Sequence, residues 1–282
     1  MSAVDDTVEV HKMPLLDHLI ELRQRMLYSV IALFVAFLVS FYFAQALFDF
    51  LVQPLADILI ERAGVRGARR LIFTDLTEVF FTHIKVAFFF GAFVSCPIFL
   101  TQLWLFVAPG LYRNEKAALA PFLVASPILF FIGGALVYFV IFPLAWRFFL
   151  SFETMGGQGT LPIELEAKVN EYLSLVMKLI FAFGLCFQLP VIMTLLARVG
   201  LASSKGMASK RKYAIVGVFV VAAVFTPPDP LSQLSLAAPI ILLYEVSILM
   251  AKLVEKKKAA REAEEGLDLG EDEGSDDKAT ES

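Results

Sequence analysis

The sequence is short of the residues on which most catalytic centres are built. It has three histidines and two cysteines in 282 residues. His11 lies near the start, His18 in a charged collar, and His83 early in an apolar stretch. No Gly-x-x-x-x-Gly-Lys-Ser/Thr run is present to cradle nucleotide phosphates, and no His-Glu-x-x-His pair to hold zinc. There is no Gly-x-Ser-x-Gly elbow for a nucleophilic serine. Cys96 and Cys186 both sit inside apolar segments, unlike the loop cysteines of disulfide-stapled domains. They read as packing thiols, and two cysteines alone do not make a metal site. An enzyme, a metal or a cofactor is therefore not expected, and nothing in the composition calls for a nucleic-acid partner.

Charge is also scarce. Only 18% of residues are Asp, Glu, Lys or Arg, whereas 58% are hydrophobic and 28 are Phe. A soluble domain carries about 25% charge and 45–50% apolar residues. Mean hydropathy is +0.73, and the chain reads as an integral membrane protein of α-helices. The net charge of −4 owes much to an acidic run at the C-terminal end, and the remaining loops are mixed to basic. The first 25 residues are charged and the apolar run after them is too long for a signal-peptide core, so no cleavable leader is expected.

The chain is organised around Leu15–Arg25. Asp17, Glu21 and Arg25 recur every four residues, which stacks them on one helix face, with Leu15, Leu16, Leu19, Leu22 and Met26 on the other. Pro14 suits a first helical turn, after a loose terminus over 1–13. Met26–Ala46 then carries no formal charge, enough to cross a bilayer. A polar stretch follows, Leu47–Leu76, in which Leu51, Leu55, Ile58 and Leu59 have the spacing of a surface helix. Thr74–Glu78 offers a helix-start signature. Further spans are expected at Val79–Phe106, Ala117–Leu144 and Tyr172–Ala197, then two short ones at Tyr213–Phe225 and Leu231–Met250. The short pair either crosses a thinned bilayer or forms a re-entrant hairpin. The fold class is thus all-α with six transmembrane helices, the fifth and sixth short. Pro97, Pro127, Pro190 and Pro239 each imply a bend, and bent helices suggest a curved, concave wall.

Three parts are expected: a cytoplasmic amphipathic segment at 1–25, a six-helix membrane domain at 26–250, and an acidic disordered tail at 251–282. With the N-terminus inside, Lys and Arg divide fifteen to six in favour of the inner segments, which places both termini in the cytoplasm. The arginines of the first outer loop, Arg62, Arg66, Arg69 and Arg70, run against that rule.

Two acids stand at the inner membrane surface. Glu21 lies just before the first span, and Glu115 in the connector between spans two and three. Each has two readings: a carboxylate that accepts a guanidinium in a bidentate pair, or a local partner, Arg25 for Glu21 and Arg113 or Lys116 for Glu115. Within the fourth span Lys178 either snorkels outward or is neutralised by Glu171, seven positions earlier. Gln188 precedes Pro190 and is expected to face another helix, either as internal glue or as a docking point for a partner span. Lys178 and Gln188 together would be the midplane site if the chain were a small-solute secondary transporter, although no acid chain or inverted repeat supports that alternative.

Over about Pro14–Met250 the sequence resembles the TatC family, the multispanning subunit of the twin-arginine protein translocase. The resemblance rests on His18-Leu-Ile-Glu21-Leu-Arg23, Phe80-Phe81-Thr82-His83-Ile84-Lys85, and Trp104 through Pro109-Gly110-Leu111-Tyr112-Arg113-Asn114-Glu115. Gly184-Leu-Cys-Phe-Gln188-Leu-Pro190, Lys210-Arg-Lys-Tyr213 and Phe225-Thr226-Pro227-Pro228-Asp229 continue it. It implies a non-enzymatic receptor and scaffold that binds Arg-Arg signal peptides of folded cargo and draws on the proton-motive force. The implied partners are TatA- and TatB-type single-span proteins, membrane lipid and further copies of the chain, in the bacterial inner membrane. The family's arginine-binding acids fall on Glu21 and Glu115, with Arg23 and Phe106 near that site. Pro54 and Asp229 fall on sensitive outer positions, and Lys85 and Gln188 on structural or partner-docking ones. Many members have Glu where this chain has Gln188, so a titrating role is not implied there.

Overall fold

The computed structural model describes residues 6–66, 70–111, 120–154, 161–225 and 230–276, with side chains left undescribed in parts of these. Among them there is no β-strand, and the chain divides into two compact units, Met1–Leu185 and Cys186–Ser282.

In the first unit, α1 (Asp6–Tyr42) is a single helix of 37 residues, about 55 Å long. It begins eight residues before Pro14, so helix replaces the expected loose terminus. Pro14 deletes one backbone bond without ending it. A break at Phe43 leads into α2 (Ala44–Arg66), one helix of 23 residues where a loop with a partial helix was expected. The expected apolar spacing is what holds it: Leu51, Leu55 and Ile58 are buried.

Pro54 lies inside α2. Its missing N–H leaves the Phe50 carbonyl, four residues back, without its helical donor. The Tyr138 hydroxyl donates to that carbonyl at 2.7 Å, and the Tyr172 hydroxyl to the Leu51 carbonyl at 3.0 Å. A buried carbonyl is thereby satisfied from a neighbouring helix.

The third helix, α3 (Glu78–Leu111), runs through Lys85 and Pro97 without interruption. Its most extensive pairing is with α1. Ala87, Gly91 and Ser95 recur every four residues and are all buried, the small-residue spacing that lets membrane helices approach closely. A Cβ at Gly91 would lie 2.8 Å from the Phe37 backbone of α1. The next span is composite: α4 (Ala120–Leu136), a π-helical turn over Val137–Ile141, α5 (Phe142–Phe149) and a 3-10 turn over Leu150–Phe152. Then α6 (Val169–Cys186) packs Phe181 and Gly184 against Phe130 of α4. Isolated bridges Ile72–Lys168 and Thr154–Ile163 tie the loops at one end.

In the second unit the fourth apolar span resumes as α7 (Leu189–Val199), with Pro190 in its first turn. The expected bend at Pro190 is therefore a break in the helix. Gly200, at φ 84°, ends α7 in the left-handed region, where only glycine sits without strain. The basic connector folds as α8 (Ser204–Ser209), followed by α9 (Arg211–Phe225) and α10 (Pro230–Asp276). Ala197, Met207, Tyr244, Ile248 and Ala251 form the core here. Tyr244 donates to the Met207 carbonyl at 2.9 Å, and Glu255 accepts from the Ser204 backbone at 2.7 Å. Helix α10 continues past Met250 to Asp276, through the segment expected to be disordered.

Among the described residues five helical stretches are long and apolar enough to cross a membrane: His18–Tyr42, Glu78–Phe106, Pro121–Phe152, Val169–Val199 and Gln233–Lys257. The chain is thus a multi-pass membrane protein of α-helices. Helix α9, the expected fifth span, has 15 residues, about 22 Å.

Candidate functional site

The charged collar of α1 and the far end of α3 meet at one end of the first unit. Glu21 and Arg25 share a face one turn apart, and both the Nε and Nη2 of Arg25 donate to Glu21 Oε1, the former at 3.0 Å. The second carboxylate oxygen faces His18, whose Nδ1 lies 4.0 Å away. The His18 ring in turn stacks on Phe106 of α3, with centroids 4.2 Å apart and planes 14° from parallel. Trp104, two residues earlier, donates from Nε1 to Ser126 Oγ at 2.7 Å and fixes this end of α3 against α4.

These contacts bring Glu21 and Phe106 into one cluster, with His18 between them. The Glu21 side chain is 34% exposed, so its charge meets water on one side and packed protein on the other. Of the two readings of Glu21, the local one is realised: a guanidinium already sits on its carboxylate. Arg23 is exposed and makes no ion pair among the described residues. Glu115 lies outside the described residues, as do Asp229 and the connector 112–119. His18 carried no role in the sequence reading. Its i,i+3 spacing from Glu21 is the signal that points to it.

The remaining residues fall elsewhere. Pro54 is buried in α2, over the carbonyl capped by Tyr138. Lys85 donates to Asn170 Oδ1 at 2.8 Å, and Glu78 accepts from the Asn170 backbone at 3.1 Å and from Thr74 at 2.9 Å. The start of α3 is thus stapled to α6, a structural use of Lys85. The ring nitrogens of His83 lie 2.7 Å from the Val79 carbonyl and 3.0 Å from Gln45 Oε1, and the ring stacks on Phe48. Gln188 is buried at the N-cap position of α7, and its side chain makes no capping hydrogen bond there. Lys178 is exposed on α6. The expected neutralisation by Glu171 does not occur, because Glu171 pairs with Lys168 at 3.8 Å, three residues from it. Cys96 is buried and Cys186 half-buried, both as free thiols. No group of three or more His, Cys, Asp or Glu suited to a metal occurs among the described residues.

The model of the TatC family, described as Sec-independent protein translocase protein (TatC), matches residues 17–239. A Sec-independent protein translocase protein TatC from Magnetococcus marinus is 47% identical over 266 residues, 94% of either chain. The protein of that name from Escherichia coli K12 is 38% identical over 260 residues, covering 92% of this chain and 94% of its own length. A crystal structure of the twin arginine translocase receptor TatC superposes with a TM-score of 0.70 at 36% identity, covering 84% of this chain and 99% of that one. A second, in the detergent DDM, gives 0.71 at 35%.

Proposed function

The chain belongs to the TatC family, and we propose that within the twin-arginine translocase it is the receptor whose Glu21 and Glu115 receive the arginine pair of signal peptides. As a subunit of that translocase it serves the export of folded proteins and is a scaffold; we infer that it catalyses no reaction of its own. Arg23 and Phe106 border the site, and His18 joins them. The observation that carries the reading is Glu21: a half-buried carboxylate at the start of the first span, beside an aromatic wall, already holding a guanidinium. An arginine supplies a planar fork that matches such a carboxylate, whereas the lysine ammonium is a point charge.

The topology that fits has six crossings, α9 being the fifth, with both termini in the cytoplasm of a bacterium and the chain in its inner membrane. The excess of Lys and Arg on the segments assigned inside supports it. We take 1–25 as the cytoplasmic receptor segment, 26–250 as the membrane domain and 251–282 as a cytoplasmic extension. TatA- and TatB-type single-span proteins and further copies of the chain are its partners, and the proton-motive force drives the transport. Lys85 and Pro54 act in holding the outer end of the first unit together. Gln188 and Asp229 are proposed for contacts with partner spans and with the outer surface. The reading as a solute transporter built on Lys178 and Gln188 gives way to the translocase family.

Photocrosslinkers placed around Glu21, Phe106 and Glu115 test the site with an Arg-Arg signal peptide. Crosslinks are expected in the wild type, to be lost in Glu21→Lys and Glu115→Lys, and to be weak with a Lys-Lys peptide. Crosslinking left unchanged by both substitutions would overturn the assignment.

A further inference from the structure

The His83 ring meets two partners, and both are acceptors. Its Nδ1 lies 2.7 Å from the Val79 carbonyl, and its Nε2 lies 3.0 Å from Gln45 Oε1 on α2. The Gln45 amide is held in that orientation, because its Nε2 donates to Asp49 Oδ1 at 3.1 Å. Neither oxygen facing the ring can donate, so both contacts are hydrogen bonds only when each ring nitrogen carries hydrogen. That is the protonated ring. Phe48 stacks on it, with centroids 5.0 Å apart and planes 3° from parallel, and an aromatic face attracts a cation. The positive charge thus sits between that face and an amide that leads on to a carboxylate.

Loss of the proton breaks this chain of bonds at one place. A neutral ring keeps one hydrogen, and the other nitrogen then turns a lone pair on an oxygen. The Val79 carbonyl is fixed in α3, whereas the Gln45 amide can rotate. Once rotated, it donates to the ring but sets its own oxygen against the Asp49 carboxylate, so the contact with Asp49 opens. The charges nearby are engaged elsewhere. Glu78 is held by Thr74 and the Asn170 backbone, Lys85 by the Asn170 side chain, and Lys168 by Glu171 on α6. Asp75 accepts from the Thr77 backbone, and further along α2, two turns beyond Asp49, stands Asp57, while Glu61 pairs with Arg147. Helix α1 from Met26 to Tyr42 and the whole of α4 carry no formal charge. The bonds at stake therefore decide how the start of α2, just past the break at Phe43, is held to α3.

We propose that His83, Gln45 and Asp49 form a proton-binding site: filled, it ties the start of α2 to α3, and empty, it releases that start. His83 stands five residues after Glu78, about 7.5 Å along α3. Gln45 and Asp49 are exposed and His83 is half-buried, so protons reach the ring from the adjoining aqueous side. Histidine is the side chain whose charge changes within about pH 5 to 8. Which side of the membrane it faces rests on the topology proposed above, which puts this end outside, where the proton-motive force supplies protons. The chemistry of the three side chains is independent of that reading.

The test uses the full chain in nanodiscs with isotope-labelled histidine, the His83 ring signal being the one lost in His83→Phe. Magnetic resonance should find hydrogen on both ring nitrogens at about pH 5.5 and on one at about pH 8. A single hydrogen throughout would overturn the site. Amide exchange over 47–51 reports the tie to α3, each variant being compared with wild type at equal pH. His83→Phe should exchange about fivefold faster at low pH, for the loss of one hydrogen bond, and within about twofold at high pH. A ratio that does not change with pH would mean that the proton does not set the contact, and the inference fails. Gln45→Leu should abolish the pH dependence. So should Asp49→Asn, whose amide can donate to the rotated Gln45 oxygen. A dependence that survives both substitutions would overturn the relay. In sealed liposomes, with the chain oriented C-terminus inward as checked by protease access to a tag, an external pH step should change the ring. A ring that answers only the internal pH would overturn its outward placement and the topology reading with it, while the proton site itself stands.

Discussion

Replacing Glu21 by Gln keeps the shape of the side chain and removes its charge. In the structure Oε1 takes both donors of Arg25, while Oε2 faces His18 at 4.0 Å. An incoming arginine must bind Oε2 or displace Arg25, and either route needs the carboxylate. A hydrogen bond to a charged group contributes about 1.5–3 kcal/mol. With the Glu21 side chain 34% exposed, solvent screening favours the lower part of that range. At about 1.5–2 kcal/mol, Glu21→Gln should weaken an Arg-Arg signal peptide roughly 10- to 30-fold. Arg25→Ala should act with the opposite sign. It removes the internal competitor, whose i,i+4 pairing is worth about 0.3–0.5 kcal/mol, so binding should tighten about twofold. Fluorescence anisotropy of a labelled signal peptide against the chain in nanodiscs measures both. If Glu21→Gln binds within twofold of wild type, the carboxylate does not receive the ligand. If Arg25→Ala is as damaging as Glu21→Gln, Glu21 serves only to pair with its own helix.

Tyr138→Phe leaves the Phe50 carbonyl without a donor and should cost about 1–2 kcal/mol, read as a lower unfolding midpoint in detergent. Adding Pro54→Ala should recover part of that loss, because the new N–H restores the helical bond; additive losses would refute the assignment. Gly91→Leu drives a side chain into the Phe37 backbone and should separate α1 from α3, lowering the midpoint and also weakening signal-peptide binding, since His18 and Phe106 would part. Unchanged binding would show that the cluster does not depend on this pairing. Glu255→Ala removes the acceptor of Ser204 N–H at the start of α8. It should speed amide exchange over 203–209 by about fivefold, for a cap worth ~1 kcal/mol, and no change would mean the short helix is held by its apolar side.

The spans were the legible part of the sequence. Val79–Phe106 was expected and Glu78–Phe106 found, because a long apolar run with Lys85 as its one formal charge has few alternatives to helix in a membrane. The segment after the first span was not legible as one helix. The spacing of Leu51, Leu55, Ile58 and Leu59 showed only part of it as helix, and what supports the helix at Pro54 is a tyrosine 84 positions away in sequence, from Pro54 to Tyr138. The approach of α1 to α3 depends on Gly91 meeting Phe37, which no local pattern announces. At the candidate site Glu21 is singled out by its place just before the first span, and Phe106 by the family motif. The histidine that joins them needed the structure, because ring stacking between separate helices leaves no periodic trace. Lys178 was recognised as an awkward charge, but its supposed neutraliser had a nearer partner in Lys168. Side-chain competition at that range is settled by rotamers rather than by spacing.

The π-helical turn at Val137–Ile141 has a consequence for how this span tolerates change. In a regular helix, gaining or losing one residue swings everything beyond it by about 100°. A π turn holds one residue more than an α turn in the same angular space. Phe130 before it and Trp146 after it, both buried, are thus fitted to their neighbours separately. A one-residue deletion inside 137–141 should relax into ordinary helix and leave both contacts in phase. The same deletion at Phe130 would turn the rest of the span away from α2 and α6. Length variation along this stretch therefore has one natural home.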